Sequence, residues 1–191
     1  ITLVMDDSEK ADAYAAMTVA IACSGTVTTE LAAQGAVVVT GYKLGWIKPR
    51  AAKTARYTLD PLEKDAKDCL WVWTGGKSGP EYFLLENRQA TGRDASLPGS
   101  GLAVWHIDEA RSDNTNPLAY KVGLAQADGK RDLELAKNSG DAGDLFPGSL
   151  KKTAFNDRTT PSSRAHDGSL TRVALSAITV AKGKVTLNVK R

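Results

Sequence analysis

Two histidines, 22 carboxylates and two cysteines bound the chemistry open to this chain of 191 residues. His106 stands in "AVWHID" and His166 in "SRAHDG", and neither belongs to an H-E-x-x-H pair. A helical two-histidine zinc site with a glutamate base therefore cannot be built from residues 1–191. His106 alternates with Trp105 and Ile107 on an expected strand and reads as a packing residue, whereas His166, in a polar loop, reads as solvated. No G-x-S-x-G elbow is present, so a Ser-His-Asp triad has no support. Glu81 and Glu86 flank one apolar run, but their odd spacing sends them to opposite faces of a strand, against glycosidase-type acid/base work. Glu86 and Arg88 share a face and read as an ion pair beside a sheet.

The remaining carboxylates gather in loops. "QADGKRDLE" supplies Asp128 and Asp132, "NSGDAGDLFPG" supplies Asn138, Asp141 and Asp144, and "DEARSDNTN" supplies Asp108, Asp113, Asn114 and Asn116. Hard cations want such oxygens held by tight turns, which makes Asp128, Asp132, Asp141 and Asp144 the candidate Ca²⁺ ligands. None of the loops has EF-hand spacing, and Asp, Asn and Gly dominate turns for reasons unrelated to metals. Both readings stand. Cys23 and Cys69 lack C-x-x-C spacing, which argues against a metal or thioredoxin-type role. A disulfide closing their 46-residue span would stabilise by about 4 kcal/mol on the loop-entropy account; two buried thiols are the alternative.

The elements that must position these groups are mostly strands. Runs of β-branched and aromatic residues recur between Gly, Pro, Asn and Asp at 36–40, 55–59, 69–74, 82–87, 102–107, 121–126, 173–178 and 184–189. Their spacing predicts a mainly β (α+β) fold of antiparallel sheets with long Asp/Gly/Asn-rich loops. The dense runs "LWVW" and "FLLEN" suit strands covered on both faces, while "RVALSAI" and "KVTLNVK" alternate and suit a terminal hairpin exposed on one face. Before residue 36 the composition differs: alanine-rich stretches at 12–22 and 28–34 predict one or two short helices. The division expected is thus a helical segment over 1–40, truncated or divergent, and a β-rich part over 41–191.

Composition is that of a globular domain, 42% hydrophobic and 25% charged, long enough to bury a core without metals or cross-links. No apolar run is long enough to span a bilayer as a helix. The best one, 13–23, follows Asp6, Asp7, Glu9 and Asp12, where a signal peptide needs positive charge. The chain opens on Ile1, which fits a processed or truncated piece. Residues 149–191 hold nine basic and two acidic side chains, but the charges are scattered and Phe155 is the only aromatic among them. That pattern does not suit nucleic-acid binding.

At 81–108, "EYFLLENRQATGRDASLPGSGLAVWHID", the chain resembles the immune inhibitor A (M6) family of secreted zinc metallopeptidases. "GYKLGWIKP" at 41–49 is similar to the family segment that follows its zinc-binding half. "QADGKRDLE", "GDAGDLFPG" and the closing strands are similar to its downstream parts, so the resemblance covers roughly 41–189. It implies a secreted, calcium-stabilised protein and raises the Ca²⁺ reading of the 128–144 region. The family's H-E-x-x-H helix, with its downstream acidic ligand, would lie before "LGW", yet residues 1–40 contain no histidine. No catalytic residue is therefore assigned, and Zn²⁺ is expected only in a missing catalytic half. His106 matches a family position taken as strand packing. The resemblance thus implies the C-terminal β-rich portion of an M6-like metallopeptidase, inactive alone, whose partners are the N-terminal catalytic half and a protein or peptide substrate. The alternatives are a catalytically dead homologue and a non-catalytic, calcium-dependent extracellular binding module using Trp71, Trp73 or Trp105.

Overall fold

The computed structural model describes residues 47–191 apart from 62, 63, 65–67, 74–76 and 78. The expected helices, the strand at 36–40, Cys23, the division at 40/41 and most of "GYKLGWIKP" lie outside the described residues. Within them the protein is mainly β, as its alternation patterns predict. The strands are β1 (Arg50–Ala51), β2 (Ala55–Leu59), β3 (Cys69–Val72), β4 (Glu81–Arg88), β5 (Gly101–Asp108), β6 (Val122–Leu124), β7 (Ala174–Ala181) and β8 (Lys184–Lys190). Every run expected as a strand after residue 47 contains one, and only the two-residue β1 was not anticipated.

Five strands form one sheet in the order β1-β3-β4-β5-β6, and three form a second in the order β2-β8-β7. Pairing is antiparallel except between β1 and β3. Strands β4 and β5 are the centre of the larger sheet, paired over eight residues from Glu81↔Asp108 to Arg88↔Gly101. Because side chains alternate, one face of this pair carries Phe83, Leu85, Leu102 and Val104, and the other carries Tyr82, Leu84, Ala103, Trp105 and Ile107.

Both faces are covered, which is why the sequence reads as continuous apolar runs here. The first packs against Leu59, Leu175, Ile178, Val185, Leu187 and Val189 of the smaller sheet, with Phe146 and Phe155 inserted from loops. Phe83 meets Phe155 edge to face at 5.3 Å, the arrangement that ring quadrupoles favour. Burying a side chain such as Phe83 contributes about 1.5–3 kcal/mol. The second face packs against Ile47, Leu97, Leu133 and Leu145. No helix among the described residues is long and apolar enough to cross a membrane.

The terminal hairpin is tighter than its sequence suggests. "TVAKG" does not form the whole connection: Thr179 to Ala181 continue β7 in register with Thr186 to Lys184, and only Lys182 and Gly183 turn. Both have positive φ, 52° and 75°, as the two-residue turn that matches strand twist requires.

Candidate functional site

The β4–β5 register puts two carboxylates, Glu81 and Asp108, directly opposite each other at one end of the central pair, with His106 two residues in on the same face. Facing carboxylates repel. His166, reaching in from the loop before β7, relieves this. Its backbone N–H donates to Glu81 Oε1 at 2.7 Å, and its Nδ1 lies 3.1 Å from Asp108 Oδ2. His106 Nε2 lies 2.8 Å from the same Glu81 oxygen. Since carboxylates only accept, the imidazole nitrogens are the donors in both contacts. The two rings stack at 4.2 Å, 28° apart, and the His106 ring also meets Phe83 at 4.6 Å, tilted by 42°. Arg111 Nε closes the group on Asp108 Oδ2 at 2.9 Å.

The expectation of a solvated His166 is therefore corrected: its side chain is 13% exposed, about as enclosed as His106 at 14%. The stack and two carboxylate partners draw it in. His106 packs on its strand as expected. Burial lowers the pKa of His106, with the nearby His166 adding to this and the Glu81 hydrogen bond opposing it. The ring is thus neutral near pH 7. Burial alone would raise Glu81, yet the hydrogen bonds from His106 and the His166 backbone outweigh it and hold the carboxyl below its usual range. Asp108 is likewise raised by burial but held low on balance by His166, Arg111 and the Ala110 N–H. Among the described residues, Glu81, His106 and His166 are the group of potential metal ligands whose donor atoms converge, all within 4.8 Å of one another. Both histidines line a cleft of about 330 Å³, with Tyr120, Gln126, Arg131 and Thr160 among its walls.

The four predicted calcium ligands are placed differently. Backbone hydrogen bonds from Asp128 N to Gly143 O and from Ala127 N to Asp144 O tie the two loops together, bringing Asp128, Asp141 and Asp144 around Gly143. A Cβ on Gly143 would lie 2.8 Å from Asp128 Oδ2 and 2.9 Å from Asp141 Oδ1, so only glycine fits between them. One oxygen of each of these three aspartates already serves a turn. Asp128 Oδ1 accepts from Lys130 N, Asp141 Oδ1 from Gly143 N, and Asp144 Oδ2 from Asp141 N. Asp132 stands at the rim beside Lys137 Nζ at 3.4 Å. Asp128 Oδ2 is buried and already meets the Lys130 ammonium at 2.9 Å. One observation fits a hard cation here. Asp144 is pushed up to about 6, first by burial and then by the charges of Asp141, Asp128 and Asp132.

The "DEARSDNTN" oxygens act as turn caps: Asp113 accepts from the Thr115 hydroxyl and backbone, and Asn114 bonds the Val122 backbone through both side-chain atoms. Asp108 alone of that set joins the histidines. Glu86 and Arg88 do form a buried ion pair at 3.0 Å, and Trp105 Nε1 donates to Glu86 at 2.7 Å. Trp105 is thereby removed from any contact surface, while Trp71 and Trp73 are half-buried against the cores. Cys69 is a buried free thiol, and its burial raises its pKa well above the usual value. That leaves it inert.

No family model, curated protein or solved structure matches this chain.

Sequence reasoning missed Glu81 and His166 as partners of His106. The available signal was the pair His106 and Asp108, two polar residues two apart at the end of an apolar strand. Nothing local in the sequence points from there to His166.

Proposed function

We propose that residues 41–191 are the β-rich C-terminal portion of an M6-like secreted metallopeptidase, where they buttress a zinc-binding half and help wall the substrate cleft. The observation that carries this reading is the place of the resembling string in the fold. Residues 81–108 form the β4–β5 hairpin at the centre of the larger sheet, and the polar end of that hairpin opens on the cleft of about 330 Å³. That volume suits one or two side chains of a peptide. With two histidines and no H-E-x-x-H, residues 1–191 supply no zinc helix of their own, so peptide-bond cleavage needs the other half. Ca²⁺ is assigned to Asp128, Asp141 and Asp144, with Asp132 at the rim. Its part is to neutralise crowded carboxylates and fix the loops beside the hairpin.

The test is a casein assay on the purified chain, alone and joined to an M6 segment carrying H-E-x-x-H. No cleavage by the chain alone and EDTA-sensitive cleavage by the joined protein is the expected pair of results. EDTA-sensitive cleavage by the chain alone overturns the reading, as does a joined protein that folds but remains inactive.

A further inference from the structure

We propose that Glu81, His106 and His166 bind a divalent transition-metal ion of the zinc class at the wall of the cleft. This site is separate from any H-E-x-x-H zinc and does not depend on the peptidase reading.

The donor set is the first argument. Two imidazoles and one carboxylate suit zinc and its transition-metal neighbours, whereas calcium and magnesium want oxygens alone. Spacing is the second. A tetrahedral zinc with bonds near 2.0–2.2 Å sets its ligand atoms roughly 3.4 Å apart. Glu81 Oε1 lies 2.8 Å from His106 Nε2 and 3.8 Å from His166 Nδ1, on either side of that value. Small side-chain movements therefore reach it. On binding, the His106 proton passes from Nε2 to Nδ1, and the His166 proton from Nδ1 to Nε2. Both donor atoms are freed by this exchange of tautomers.

The surroundings complete the site. Asp108 Oδ2, held by Arg111, is a further oxygen 3.1 Å from His166 Nδ1. Phe83 packs against the His106 ring. Both histidines face the cleft, so with three protein ligands a coordination position remains open toward it.

The chain has only two histidines, and both belong to the site, which makes the test direct. Untagged protein stripped with EDTA is titrated with zinc, followed by the imidazole C–H resonances and by calorimetry. The expected result is one saturable equivalent that moves the resonances of both histidines together. His166→Ala and Glu81→Gln should each weaken zinc at least about 10-fold. Asp60→Asn, where Asp60 pairs with Lys184 away from both candidate sites, should leave the affinity unchanged. The proposal is overturned if neither histidine responds, if only one does, or if a folded Glu81→Gln binds zinc like the wild type. Should His166→Ala fail to fold, the wild-type resonances and Glu81→Gln decide. Zinc binding without casein cleavage is the expected outcome for the chain alone and leaves the peptidase reading standing.

Discussion

At the polar end of the β4–β5 pair, side chains from three separate stretches turn toward one another; in the 128–144 loops, aspartates turn mostly toward their own backbone. Glu81, His106 and His166 converge because strand register and a distant loop aim them at one point. Asp128, Asp141 and Asp144 are brought near by short turns, and each gives one oxygen to a nearby N–H. In the first arrangement the donor atoms bond mainly to one another and to Asp108, across the fold. In the second, part of the ligand capacity is used before any ion arrives. Sequence density of carboxylates thus overstated the loops, and two isolated histidines understated the strand end.

Four perturbations separate the regions. Glu86→Ala should have the largest effect, because it leaves the Trp105 N–H buried without its partner and the Arg88 guanidinium with Asp94 alone, at a cost of about 3 kcal/mol. Since Glu86 lies mid-hairpin, both regions should be lost together in a single urea transition. Two separate transitions would show that the regions are less connected than described.

Adding Ca²⁺ comes next. At 100 times its dissociation constant the ion stabilises by about 2.7 kcal/mol, a rise of about 5–10 °C for a domain of this size. Scanning calorimetry in EDTA and in millimolar Ca²⁺ reads it directly. An unchanged melting temperature would reduce the 128–144 aspartates to turn caps.

Gly143→Ala forces a methyl between Asp128 Oδ2 and Asp141 Oδ1, which should cost about 1–3 kcal/mol. The two histidine resonances should not move. If they do, the loops and the strand end are coupled.

The smallest effect is a pH dependence. Asp144 titrates at about 6 in the folded chain against an ordinary 3.8, so the folded state holds a proton that the unfolded state has lost. Its contribution to stability therefore falls as pH rises from 3.8 to about 6. Asp144→Asn removes that term, and in EDTA the variant should gain on the wild type across this window. Urea melts at several pH values check it; a difference flat with pH would contradict the placement of Asp144.

Much of the fold was legible. Alternation and turn residues located the seven longer described strands, because strands with one or two covered faces leave a periodic apolar record. The doubly covered "FLLEN" did become a central strand, and Glu86 with Arg88 did pair on one face. The site was less legible for a physical reason. Its geometry rests on the Glu81↔Asp108 pairing, set by closure of residues 89–100, and on a loop 58 positions beyond Asp108. Neither leaves a local pattern. His166 looked solvated because its immediate neighbours are polar, yet its surroundings in the fold are an imidazole and two carboxylates.

Carbethoxylation of the metal-free chain at neutral pH, with peptide mapping by mass spectrometry, tests the central arrangement most directly. Stacked and hydrogen-bonded as described, His106 and His166 should both react several-fold more slowly than in the urea-unfolded chain, and His166 should speed up in Glu81→Gln. A His166 that reacts as fast folded as unfolded would contradict the account and return it to a solvated loop.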